Sequence, residues 1–247
     1  SKIDYFNSKI QQTEKGERLQ WLDSLTNTVL DRTEFKYDSI ARVSIDFAIE
    51  IDSLSIATKQ LGDLIYYYNN VVGQPKEGVL LFDSYDGKFK NLKDAYALGS
   101  LNLYVGESYQ YLSNLDKAID YFKIALAYGK SSNNKRLPAL ANLYLGYVQS
   151  DKGLFADASV SLKTASQLYV KQKDTFNLLS AKNALSILYS KNAFYDEAKT
   201  ERDEAIEIAK KIDRGNNLIS LYFNAAEDYK RTGDVVQQIA YLKASLK

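Results

Sequence analysis

The chain has 247 residues, 45% hydrophobic and 26% charged, with 32 Lys+Arg against 31 Asp+Glu and a net charge of +1. Such a composition suits a globular fold with a large core and supplies no basic excess for nucleic acid. The absence of Cys and His excludes disulfides, thiolate metal sites, a Cys nucleophile and the usual catalytic triads.

Two prolines in the whole chain point to long helices rather than many turns. The apolar runs, such as Leu61 to Tyr68, break well before the ~20 residues that a membrane span needs. The sequence has no Met, not even at residue 1, which leads us to expect a piece of a longer protein. The lack of Cys fits an oxidising or a reducing compartment equally and so does not choose between a periplasmic location, slightly favoured, and a cytoplasmic one.

Two amphipathic stretches open the chain. Glu17–Leu30 carries Trp21, Leu22, Leu25 and Val29, and Tyr37–Ile51 carries Ile40, Val43, Phe47 and Ile51. They predict a degenerate helical hairpin over 1–53. From Leu54 a repeat takes over. Four gapless copies start at Ser100, Leu140, Ser180 and Ser220, forty residues apart. A small residue recurs at Gly106, Gly146, Ser186 and Ala226, with an aromatic three later at Tyr109, Tyr189 and Tyr229 but Gln149 once. Turn residues follow at Ser113, Gly153, Ala193 and Gly233. Then come Ala118, Ala158, Ala198 and Gln238, and Ala125, Ala165, Ala205 and Ser245. A fifth, degenerate copy lies earlier, with Tyr66, Asn69, Gly73, Gly78 and Phe82 in the same slots and Pro75 suited to a helix start. Each unit reads as helix, tight turn, helix, with boundaries near 54–93, 94–133, 134–173, 174–213 and 214–247 in one continuous domain. Small residues belong where two helices cross closely. The segments at 129–134 and 211–217 read as breaks between units, with Gly129 as a C-cap, and Pro138 fits a first helical turn.

Motifs for chemistry are mostly negative. Gly129–Lys130–Ser131 lacks the earlier glycine of a phosphate loop, whose place is held by Ile124, and reads as a helix end. The segment 83–88 places Tyr85 and Gly87 where a calcium loop needs ligands. The acids of 201–207, with Lys199, Arg202 and Lys210, read as a solvated, salt-bridged helix face. No enzyme activity, cofactor or metal is expected. The last helix, from Val235, keeps Val236, Ile239, Leu242 and Leu246 apolar, so the chain is expected to continue or a partner to cover this end, including a second copy through that helix.

The set Gly106, Tyr109, Ala118, Phe122, Ala125 resembles the tetratricopeptide repeat (TPR) family, over roughly Leu54 to Lys247 and more weakly before it. The period of forty exceeds the family's common thirty-four, and the Phe122 slot becomes Leu162, Arg202 and Leu242. In style the chain is similar to sensor regions of Bacteroidetes histidine kinases and LuxR-type regulators. The resemblance implies an all-α, right-handed α-solenoid of about six hairpins, stabilised by stacking between neighbours. It also implies a concave groove, lined by each unit's first helix, that binds a protein or peptide.

On the repeat ruler, Asp63, Tyr67 and Asn70, then Leu103, Glu107 and Tyr111, Leu143, Tyr147 and Asp151, Asn183, Ile187 and Lys191, and Phe223, Glu227, Lys230 and Arg231 point inward. Asn69, Asn102, Asn142 and Asn224 join as backbone-binding amides, and Tyr104 and Tyr144 as aromatic neighbours. The candidate binding residues are therefore Tyr67, Asn70, Tyr104, Tyr111, Tyr144, Tyr147, Asn183, Lys191, Asn224, Lys230 and Arg231. The family's carboxylate clamp is missing, since its slots hold Asp63 and Tyr67. The function implied is a non-catalytic sensor or interaction region of a bacterial signalling regulator, or else a stand-alone scaffold. Neither nucleic acid nor membrane is an expected partner of this segment.

Overall fold

The computed structural model describes residues 1–30, 32, 35–85 and 87–246. Asp86, within the tested calcium-loop segment, lies outside the described residues. Among those described there are thirteen α-helices and no strand, and no helix long and apolar enough to cross a membrane. The chain forms two compact units, Ser1–Leu137 and Pro138–Lys247.

The first unit holds α1 (Lys2–Gln12), α2 (Lys15–Val29), α3 (Tyr37–Glu50), α4 (Leu54–Tyr67), α5 (Pro75–Ser84), α6 (Ala95–Tyr111) and α7 (Leu115–Ser131). Helix α1 was not anticipated from the sequence. It buries Phe6 beside Trp21, with ring centroids 6.0 Å apart, and sets Tyr5 edge-on to the same indole. Helix α4 ends in a π-helical turn, Tyr68–Val72, that closes on left-handed Gly73. Pro75 takes the first turn of α5, where no N–H is needed.

The second unit holds most of α8 (Arg136–Asp151), then α9 (Phe155–Gln172), α10 (Thr175–Lys191), α11 (Tyr195–Lys211), α12 (Gly215–Thr232) and α13 (Val235–Ser245). Gly129 sits within α7 rather than capping it, and the helix stops at extended Ser132. The Gly–Lys–Ser triplet is thus the last turn of a helix, with no phosphate loop. Asn134 caps the next helix, accepting from the N–H groups of Arg136 and Leu137.

The turn inside each of the four gapless copies repeats in detail. Ser113, Gly153, Ala193 and Gly233 all take positive φ, 57° to 80°. The next N–H reaches back five residues: Asn114 to Tyr109, Leu154 to Gln149, Phe194 to Tyr189 and Asp234 to Tyr229, at 2.8–3.0 Å. This is the Schellman closure of a helix end. One ordinary L residue, Ala193, holds the strained conformation with no local hydrogen-bonding side chain to help.

The small residues face the second helix of their own hairpin. A Cβ on Gly106 would lie 2.7 Å from the Phe122 ring, and one on Gly146 would lie 2.4 Å from Leu162 Cγ. The paired slots that follow the aromatic position change together. Tyr109 stacks on Tyr121 and Tyr229 on Tyr241, with centroids 5.4 and 5.5 Å apart. Where Gln149 replaces the aromatic, its partner is Ser161, hydrogen-bonded to it at 2.7 Å. Tyr189 packs instead against Phe155 and Phe194.

Ala193→Gly should therefore stabilise the fold by about 0.5–1 kcal/mol in urea unfolding, as left-handed strain is relieved. Gly146→Val should cost about 3 kcal/mol, because Leu162 has no room to withdraw.

Candidate functional site

The second unit carries a cleft of about 170 Å³ between α10 and α12. Ser186, Ile187, Ser190 and Lys191 line it from α10, Asn224, Glu227, Asp228 and Arg231 from α12, and Arg202 from α11. Helical spacing accounts for the convergence. Residues 187 and 191, and 224, 227, 228 and 231, recur every three or four positions on one face of each helix. Three of the candidate binding residues, Lys191, Asn224 and Arg231, meet here with Ile187 and Glu227 of the inward set. Lys191 also lies 3.7 Å from Asp151 at an exposed position. Lys230 is exposed on α12 and does not line the cleft.

The floor of the cleft is a buried ion pair. Arg202 is 2% exposed and Asp228 is 5% exposed. Arg202 Nη1 donates to Asp228 Oδ2 at 2.5 Å, and the Ser190 hydroxyl donates to the other carboxylate oxygen. This corrects the expectation that Arg202 belongs to a solvated face. Its neighbours do form such a face. Lys199 pairs with Asp203 and Lys210 with Glu207, at 2.9 and 3.0 Å, while half-buried Lys182 holds Glu201 and Glu204. Arg202 instead fills the core slot of Phe122 and Leu162 beneath Ser186. Asp228 fills the slot that is Val148 and Leu188 in earlier copies. Two opposite charges in two normally apolar slots were the available sequence signal.

The remaining candidates fall into three groups. In the first unit, Asn70 Nδ2 donates to Glu107 Oε2 at 2.9 Å, and the Tyr111 hydroxyl donates to Asn70 Oδ1 at 2.9 Å. Asn69, one residue earlier, donates to the same carboxylate at 3.2 Å and to the Tyr104 carbonyl at 3.0 Å, and accepts from the Ser108 hydroxyl. The π-helical turn brings these two successive amides onto one acceptor. Glu107 is buried rather than groove-facing, as are Leu103 and Leu143. Asn102 and Asn142 are also buried, bonded to carbonyls of their own helices.

The second group is aromatic. Tyr67 is half-buried against Tyr37, at 4.7 Å between centroids. Tyr104 packs edge-on to Tyr66 at 5.5 Å, and its hydroxyl pKa is raised by burial and by nearby Asp63 and Glu107. Tyr144 and Tyr147 meet edge-to-face at 6.1 Å. Burial pushes the Tyr147 hydroxyl up to about 12, against a hydrogen bond with Ser180. In the third, Asn183 keeps a buried amide oxygen with no partner on α10, one turn before the cleft.

Asp63 is the unusual acid of the first unit. Burial pushes its carboxyl from 3.8 up to about 6; Lys59 opposes the rise and Asp23 adds to it. The second-unit cleft thus mixes Asn with opposite charges, a surface suited to polar recognition.

No protein-family model matches the sequence, and no curated protein matches it significantly. Solved structures do. A Signal Transduction ATPase with Numerous Domains protein with a tetratricopeptide repeat sensor, from Pyrococcus horikoshii, aligns with a TM-score of 0.79 at 17% identity. That alignment covers 98% of this chain and 38% of the other. A kinesin light chain with nearly identical TPR-like repeats, from Podosopora anserina, gives 0.64 at 14% identity over 82% of this chain and 99% of that one. The fold is a TPR-type α-solenoid. A Rap protein complexed with Competence and Sporulation Factor shares this fold, with a TM-score of 0.66 at 12% identity, covering 99% of this chain and 78% of its own.

Two outcomes follow for this TPR-type chain. Arg202→Leu should cost about 3–5 kcal/mol by stranding Asp228, and Arg202→Leu with Asp228→Leu should recover most of it, since Leu occupies both slots in other copies. For Asp63, the raised folded-state pKa means stability is present below pH 3.8 and lost as pH rises through about 6. Asp63→Asn should therefore stabilise the fold against urea at pH 7.5, by up to about 3 kcal/mol, and leave its stability unchanged near pH 3.5.

Proposed function

We propose that this chain is a non-catalytic peptide- or protein-binding TPR domain, serving as the sensor or interaction region of a bacterial signal-transduction regulator. In this reading residues 1–53 form a degenerate cap and 54–247 are the ligand-reading repeats. The observation that carries the reading is the α10–α12 cleft. It offers Lys191 and Arg231 as cations, Glu227 as an anion and Asn224 as a two-way amide donor and acceptor, all at a partly open surface. Such a set reads a charged side chain beside a peptide bond. Half-buried Tyr144 and Tyr147 of the same unit add aromatic area at low entropy cost.

Neighbours in fold support the same role. One carries its TPR segment as the sensor of a signalling ATPase, and another was solved with a bound factor. The sequence supports a non-catalytic reading, because His and Cys are absent from it. Ligand binding at α10 and α12 would hold the two helices at one separation and so convey occupancy along the stack.

A random-peptide display selection on the intact chain tests this reading. Selected peptides should lose at least tenfold in affinity on Lys191→Ala/Asn224→Ala/Arg231→Ala, measured by calorimetry with an unchanged circular dichroism spectrum. Peptides that bind the triple variant as tightly, or a selection that yields none, would sink it.

A further inference from the structure

The first unit carries an acid whose charge the fold leaves unpaired. Asp63 is half-buried on α4, and among the described residues no hydrogen bond or ion pair reaches its carboxylate. Burial lifts the group to about 6, so at neutral pH it is ionised at a cost in stability. Lys59 acts on it from the same helix, but its ammonium sits half-exposed, 3.7 Å from Asp23 of α2. A second group of the same seam is also unmet. Gln60, one turn before Asp63 on the same face of α4, is 2% exposed. Its amide nitrogen donates to Asp23 Oδ1 at 3.0 Å, while its amide oxygen is buried with no donor. Asp23 itself is satisfied, by that amide and by Asn27. The seam of α2 and α4 therefore holds two acceptors, Gln60 Oε1 and the Asp63 carboxylate, that no donor among the described residues meets.

Aromatic rings stand on the other side of Asp63. Gly62 leaves room for the Tyr104 ring of α6, whose Cδ2 lies 3.4 Å from where a Cβ would stand. Tyr66, one turn after Asp63, meets that ring edge-on, at 5.5 Å and 62°. The two rings form a corner next to the carboxylate, and Asp63 and Glu107 both bring negative potential to the Tyr104 hydroxyl. Carboxylate, bare amide oxygen and ring faces are all electron-rich. Together they suit a cation that carries N–H donors, which can bond the two oxygens and lie against the rings at once. A metal ion would need more oxygen ligands than Asp63 and Gln60 supply. A neutral ligand would leave the charge of Asp63 as unpaired as before.

We infer that this corner of the first unit binds a guanidinium or primary ammonium group, with Asp63 as its counter-ion, Gln60 Oε1 as a second acceptor and Tyr66 and Tyr104 against its face and stem. The site is separate from the α10–α12 cleft and does not rest on the reading given to that cleft. Nuclear magnetic resonance titration of the intact chain at pH 7.5 and fixed ionic strength tests it. The probes are acetyl-glycyl-arginyl-glycinamide, its glutaminyl counterpart and spermidine. The arginyl peptide should shift the amide signals of Gln60, Asp63 and Tyr104 saturably, with a Kd on the order of 1 mM, and the glutaminyl peptide should not. Asp63→Asn, the variant expected to gain stability, should weaken binding about tenfold or more. Gln60→Leu should weaken it about threefold. Binding of spermidine in place of the arginyl peptide upholds the site and assigns it to free polyamines rather than to a basic side chain. No saturable shift with either cation up to about 20 mM overturns the inference. So does an Asp63→Asn chain that binds as tightly as the wild type. Lys191→Ala/Asn224→Ala/Arg231→Ala should bind the cations unchanged; loss of binding there would place them in the α10–α12 cleft and overturn the inference as well.

Discussion

The structure depends on how closely the two helices of each hairpin approach. At Gly106 and Gly146 the backbone of the first helix touches the side chain sixteen residues later, with no space for a methyl group. Everything else in the unit follows from that contact. It fixes the turn, which must reverse the chain in two residues and therefore enters the left-handed region. It also fixes which face of the first helix is left to look inward. A repeat protein has no single core, so a contact between helices recurs from copy to copy, with Ser186 and Ala226 taking the glycine slot in the last two.

The same contact explains the cleft. Ser186 stands where Gly106 and Gly146 stand, but its partner is Arg202, longer than Phe or Leu and charged at its tip. The guanidinium reaches Asp228 on the following helix. Such a pair replaces apolar packing with a polar floor under Lys191, Asn224 and Arg231. The polarity of the candidate site thus arises from a change in the packing layer beneath it.

Much of this was legible in the residues. The forty-residue spacing of Gly106, Gly146, Ser186 and Ala226 specified the hairpins, because close helix crossing demands small side chains wherever it occurs. The positions of Ser113, Gly153, Ala193 and Gly233 located the turns despite two of them not being glycine. The inward set was less legible. Helical phase alone placed Leu103, Leu143 and Glu107 in the groove, whereas packing from adjacent helices buries them. Phase also could not separate Lys230 from Arg231. Asn70 and Tyr111 were placed as free groups, yet they satisfy each other and Glu107, a pairing that depends on the π-helical turn and has no signature in composition. Arg202 stands both on a helix face rich in Lys and Glu and in the core slot of Phe122 and Leu162, and it is the carboxylate of Asp228 on the next helix that draws it into the core.

The Arg202–Asp228 pair has a bearing on how the chain finds its own order. Near-identical repeats can dock on the wrong neighbour during folding, since every hairpin offers much the same apolar edge. Were α11 to meet any first helix other than α12, Arg202 would face Val148, Leu188 or Ser108 in place of Asp228 and lie buried without a counterion. The pair therefore acts as an address. It makes the junction of α11 with α12 distinguishable from those between the other copies, so that these two helices select each other.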